Sequence, residues 1–125
     1  MSWHCKTIGA YLRSSDEAKE NARAIWGILG SRGWTLNAVC GVLGNIGAES
    51  GYNPWRWQSD HVGTSDGSPW TNKGYGLTQF TPASKYIDNA DAKAIPGYGP
   101  SFSDKAGSQD DGYAQMIFLD EYADY

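Results

Sequence analysis

The sequence predicts an α+β fold, mostly helical, with a small β-hairpin flanking a cleft between two lobes. Helical apolar spacing with recognisable caps runs from Ser14 to Ile46. Between Trp55 and Tyr75 the composition changes abruptly to Gly, Ser, Asp, Asn and Trp. Helical signals then return after Thr81-Pro82 and again after Ser108. Helices followed by one small sheet and more helices leave a junction where a cleft can form.

Each element has its own warrant. Ser14-x-x-Glu17 is a capping box, with Asp16 and Glu17 suited to the positive end of a helix dipole. Ala18, Ala22, Ile25, Trp26 and Leu29 give that helix an apolar face, and the stretch from Gly30 to Gly33 ends it. Thr35 is the expected N-cap of the next helix, whose face reads Leu36, Val39, Cys40, Leu43 and Ile46. Gly41, Gly44 and Gly47 fall three apart along it, which lowers helix propensity but permits close backbone approach, so this helix is expected to be the packed central one.

Turn signals at Asp66-Gly67 and Asn72-Lys73-Gly74 mark the hairpin between Trp55 and Tyr75. Gly74 to Phe80 is a tight glycine-flanked segment, and Pro82 is expected at the first position of a helix completed by Ser84 to Asn89. A Gly/Pro/Ser-rich loop from Ala94 to Gly107 leads to Ser108-x-x-Asp111, a second capping box. The last helix follows, with Tyr113, Met116, Ile117 and Leu119 on its face. The N-terminal arm from Met1 to Arg13 carries no placement signal.

At 125 residues the chain is one domain, large enough to bury about two-thirds of its unfolded surface. With 10 Lys+Arg against 14 Asp+Glu and a pI of 4.9, it is not built for a phosphate backbone, so no nucleic-acid partner is expected. Its 6 Trp and 8 Tyr suit neutral or amphipathic ligands such as sugars, although both residue types also build cores. No apolar run can span a bilayer, and Met1 to Leu12 lacks the apolar core of a classical signal peptide. Cys40, mid-helix on the apolar face, reads as a small buried hydrophobe rather than a disulfide partner for Cys5. His4 and His61 offer no zinc-ligand spacing, and neither metal nor cofactor is expected.

Glu49 is the leading candidate for chemistry. It continues the apolar stripe of its helix into the last turn before the Asn53-Pro54 breaker, where a carboxyl should be poorly hydrated. Desolvation raises a carboxyl pKa, and a carboxyl protonated near neutral pH can serve as a general acid. The alternative is a surface Glu on a fraying helix end.

Three segments carry a resemblance. GNIGAESGYNP from Gly44 to Pro54, GYGLTQFTPASKYI from Gly74 to Ile87 and MIFLDEY near the end resemble the phage tail lysozyme family and, more distantly, goose-type lysozymes and lytic transglycosylases. The likeness runs from about Ala18 to Tyr122. It implies a lysozyme-like catalytic domain cleaving the β-1,4 bond between N-acetylmuramic acid and N-acetylglucosamine in peptidoglycan. Glu49 then matches the catalytic glutamate, Ser50 its hydroxyl neighbour, and Tyr75 and Gln79 the substrate-lining segment. The expected partners are peptidoglycan glycan strands, other phage tail proteins or further domains of one polypeptide, and the expected location is the virion tail or the cell wall. Where relatives continue with a Tyr-Glu-Arg-Pro step and a Trp-bearing helix, this chain reads EYADY, as the N-terminal part of a longer protein or a shorter variant would.

Protonating the glycosidic oxygen leaves an oxocarbenium-like centre that needs a second carboxylate or the substrate's own groups. Asp60, ahead of Asp66, is the candidate, against the alternative that an Asp in a Gly/Ser-rich turn serves the turn. Trp55, Trp57 and Trp70 either stack on sugar rings or anchor the hairpin, with Trp57 the first choice for substrate contact. A lytic transglycosylase and a non-catalytic cell-wall-binding or structural tail domain are the competing functions.

Overall fold

The computed structural model describes residues 3–7, 11–12, 15–58, 73–102 and 105–122. Among them lie four helices: α1 (Ser15–Ser31), α2 (Leu36–Ser50), α3 (Ser84–Ala92) and α4 (Asp111–Glu121). Helix α1 packs on both α2 and α4, and α3 packs on α4. Both α1 and α4 thus have two helical partners and α2 has one, so α2 is not the central helix that its glycines suggest.

The reason lies in the sequence of α4. Every residue from Ala114 to Leu119 is buried and all but Gln115 are apolar, and a stretch of helix apolar on nearly every side belongs inside a protein rather than on its surface. Tyr113, expected on the packed face, is exposed instead. In α2 a Cβ added at Gly41 or Gly44 would meet open space. Of the three, Gly47 is the one whose Cβ would meet a neighbour, the folded-back Tyr52, with its hydroxyl at 3.1 Å and its ring at 3.2 Å.

The face of α2 is also rotated from its expected position. Val39, Val42, Ile46 and Ser50 are buried, while Leu36 is 60% exposed and Cys40 is exposed. Val39 and Ile46 belong to either register. Choosing Val42 over Cys40 removes more hydrocarbon from water. Cys40 is thus a surface thiol and both cysteines are free. Similarly α1 buries Asn21, Ala24, Ile25 and Leu29 and leaves Trp26 exposed. Thr35 caps α2 as its position predicts, its Oγ1 accepting from the Ala38 N–H at 3.2 Å. Helix α3 begins at Ser84, so Pro82 precedes it rather than opening it.

Two asparagine side chains place the N-terminal arm. The Asn21 amide exchanges two hydrogen bonds with the His4 backbone, at 3.0 and 2.8 Å, and also reaches Tyr52 O at 2.8 Å. Asn53 does the same for Lys6, at 3.0 and 2.8 Å. Each side chain mimics a neighbouring strand, so the backbone groups of His4 and Lys6 are satisfied without a sheet. Trp3 then packs into the core against Gly112, where a Cβ would come within 2.7 Å of its ring.

Strand content is small. Trp57 pairs antiparallel with Tyr75, flanked by Gln58 N–H to Gly74 O at 2.9 Å and Gly76 N–H to Arg56 O at 2.8 Å. The described residues contain isolated bridges and no regular strand, so the expected β-hairpin is not seen beyond this closed base; residues 59–72 lie outside the description. An aromatic cluster joins the base to the helices: Trp57 to Tyr75 at 4.7 Å, Phe80 to Tyr86 at 5.2 Å and Phe80 to Phe118 at 5.3 Å between centroids. No described helix is long and apolar enough to cross a membrane.

Candidate active site

The last turn of α2 presents Glu49 and Ser50 to different surroundings. Val42, Ile46 and Ser50 share the inward face at helical spacing, so Glu49, about 100° away, points outward. Glu49 is exposed, which corrects the expectation that it continues the buried stripe. Ser50 occupies that stripe instead and is fully buried, its hydroxyl donating to Ile46 O at 2.9 Å. A hydroxyl so engaged is not turned toward a substrate.

Gly51 ends the helix in the left-handed region at φ 57°, its N–H donating to Gly47 O. A Cβ there would also lie 2.6 Å from the Tyr11 ring. Tyr11 closes the helix end, its hydroxyl donating to Ala48 O at 3.2 Å, and the Arg56 guanidinium lies 4.7 Å from its ring centroid. The backbone carrying Glu49 is thereby pinned from both sides.

The second motif segment is a tight turn. Tyr75 and Phe80 exchange backbone hydrogen bonds at 3.1 and 2.9 Å, enclosing Gly76 to Gln79. Half-buried Gln79 has φ 54°, and its Nε2 donates to Arg56 O at 2.9 Å and Gly76 O at 2.8 Å. Gln79 thus joins the turn to the chain that leaves α2.

Tyr75 and Trp57 back this turn rather than line it. Both are 0% exposed; Trp57 Nε1–H donates to Ser101 O at 2.8 Å and the Tyr75 hydroxyl to Asp111 Oδ2 at 2.9 Å. Trp55 is likewise an anchor, its Nε1–H donating to Ser108 O at 3.1 Å. Of the residues expected to meet substrate, only Glu49 and Gln79 reach the surface among those described. Asp60, Asp66 and Trp70 lie outside the described residues.

Beneath the turn is a polar hub that sequence reasoning missed. Asp111, read as a capping residue, is fully buried and accepts four hydrogen bonds. They come from the Tyr86 hydroxyl at 2.6 Å, Tyr75, Gly99 N–H at 2.9 Å and Gln115 Nε2 at 2.8 Å. Burial drives its pKa upward, and the four donors oppose that shift without cancelling it. The same burial and the Asp111 charge push the Tyr75 and Tyr86 hydroxyls up, so both stay protonated as donors. A signal was available: Gln115 is the polar break in the apolar run from Ala114 to Leu119, and a buried amide there requires partners.

No group of three or more His, Cys, Asp or Glu side chains suited to a metal ion occurs among the described residues. The described residues present here one accessible carboxyl, on the last turn of α2, and a backbone turn hydrogen-bonded to the chain that leaves that helix.

A model of the phage tail lysozyme family matches residues 20–124. The chain belongs to that family. The match contains both the Glu49 helix end and the Gly74–Phe80 turn, together with the hub that supports them. Morphogenesis protein 1 of Bacillus phage B103 is 45% identical over 86 residues, covering 69% of this phage tail lysozyme chain and 22% of that relative. The chain thus spans about a fifth of the relative's length.

Proposed function

We propose that this phage tail lysozyme domain cleaves the β-1,4 glycosidic bond between N-acetylmuramic acid and N-acetylglucosamine in peptidoglycan, with Glu49 as general acid. The observation that carries the reading is the Glu49 carboxyl, exposed on the sealed end of α2 within the family match. Because that carboxyl meets water in the free protein, the bound glycan strand has to supply the water exclusion that general-acid catalysis uses. Gln79, on the turn tied to Arg56 O, is the second substrate contact. Asp60 is assigned the role of activating water or stabilising the oxocarbenium-like centre. The domain acts on the cell wall from the virion tail.

The name of the B103 relative favours a second reading, a domain whose task is tail assembly. Assembly does not depend on a proton donor, so the two separate experimentally.

The test is to incubate wild-type protein with purified peptidoglycan and analyse the released ends by mass spectrometry. Hydrolysis leaves a reducing N-acetylmuramic acid, whereas a transglycosylase leaves its anhydro form; no release at all would favour the assembly role. Asp60→Asn should lower turnover about 100-fold if Asp60 activates water. Unchanged turnover would hand that step to the substrate's own groups.

A further inference from the structure

Gln115 is fully buried in α4, yet each of its polar atoms is used on a different part of the chain. Its Oε1 accepts from the Leu77 N–H at 2.7 Å, inside the Gly76–Gln79 turn. Its Nε2 donates to Pro54 O at 2.8 Å, at the close of the segment carrying Glu49, and to Asp111 Oδ2 at 2.8 Å. One side chain therefore spans the two segments that form the candidate site.

Burying a primary amide costs on the order of 1–3 kcal/mol unless it is fully paired, so three bonds here offset a penalty that an apolar residue would not incur. What the amide adds is geometry. The Asp111 carboxylate sets its orientation, because a flipped amide would turn Oε1 against Oδ2 and point Nε2 at the Leu77 N–H. The turn is shaped against this side chain as well: Gly76 has φ 89°, and a Cβ there would lie 2.5 Å from Gln115 Oε1.

We infer that Gln115, oriented by Asp111, is a positioning residue that fixes the spacing between the Glu49 helix end and the Gly76–Gln79 turn. The inference rests on the proposed function, in which Glu49 protonates the glycosidic oxygen and the turn contacts the glycan. Gln115 touches no substrate; it acts through Pro54 and Leu77.

The experiment measures kcat, KM and melting temperature on soluble peptidoglycan oligosaccharides for wild type, Gln115→Met, Gln115→Asn, Gln115→Glu, Trp34→Phe and Glu49→Gln. Gln115→Met fills the same space without the ties and should lose about 10- to 100-fold in kcat, with KM changed by less than about 3-fold. Gln115→Glu, which when protonated keeps an acceptor for Leu77 and one O–H donor, should recover part of that loss. Trp34→Phe removes the hydrogen bond that its Nε1–H donates to Asp120 at the far end of α4, outside both segments and the Asp111 hub, and should lower the melting temperature while leaving kcat as in wild type.

Wild-type kcat in Gln115→Met overturns the inference. If that variant does not fold, wild-type kcat in Gln115→Asn, whose amide is one methylene too short to reach Leu77 and Pro54 together, does so instead. A kcat loss in Trp34→Phe equal to that of Gln115→Met also overturns it, since turnover would then follow stability alone. An inactive Glu49→Gln beside an unimpaired Gln115→Met removes only the positioning role. An active Glu49→Gln removes the functional reading and the positioning role with it.

Discussion

Individual residues in this domain are separated in chemical character by small rotations about helix axes. Ser50 and Glu49 are chain neighbours, one buried in a helix-internal hydrogen bond and the other in water. The two free cysteines form a similar contrast. Burial, with Asp111 and Asp110 nearby, pushes the Cys5 thiol up to about 12, whereas Cys40 lies on the exposed side of α2. The thiolate is the reactive form, so a thiol reagent near neutral pH should modify Cys40 rapidly and Cys5 only on unfolding. Cys40→Ser should abolish the fast phase of a colorimetric thiol titration; a fast phase that survives would place Cys5 at the surface. The apolar spacing of α2 held the information that one stripe is buried, but Val39 and Ile46 fit two registers, and the sequence alone contains no weight for which neighbour each faces.

At the scale of elements, the Thr35 cap of α2 and the glycine stop of α1 were legible because they are local, with Gly33 at φ 91° just beyond α1; Gly51, ahead of the expected Asn53-Pro54 breaker, is what ends α2. The N-terminal arm was not legible, because what holds it are the side chains of Asn21 and Asn53, respectively 17 and 47 residues from their partners. A further tie is ionic. His4 Nε2 lies 2.7 Å from Glu20 and Nδ1 lies 3.2 Å from Glu17. The hydrogen bond to Glu20, with the charges of both glutamates, raises the His4 pKa above 6.5 against a smaller opposing desolvation. A pKa raised on folding contributes stability that is complete below the unfolded value and is lost as pH climbs through the folded one. The melting temperature of wild type should therefore exceed that of His4→Gln by more at about pH 6 than at about pH 8. A difference that grows with pH would contradict this pairing.

For the molecule as a whole, three stretches distant in sequence become one frame. The Glu49 segment and the Gly74–Phe80 turn meet through Gln79 and Gln115, and α4 supplies both the apolar core and the Asp111 hub. The helical class and the junction between helices and the bridged segment follow from periodicity and composition. The hub does not, since Asp111 satisfies a local capping pattern as well as a buried one, and only the packed core selects between them. The far end of α4 is tied to the α1–α2 connection by Asp120, which accepts from Arg32 Nε at 2.6 Å and Trp34 Nε1 at 2.6 Å; the Arg32 hydrogen bond holds its carboxyl below the usual range. Such a frame leaves the Glu49 carboxyl exposed, while the one buried carboxylate among the described residues, Asp111, is fully engaged. The most direct test is the turnover of Glu49→Gln on purified peptidoglycan, with its fold verified by circular dichroism and melting temperature. The exposed position predicts unchanged stability, and the proton-donor role predicts a loss of about 100- to 10,000-fold in turnover. A folded Glu49→Gln that retains more than about a tenth of wild-type turnover would contradict the assignment of Glu49 as the acid.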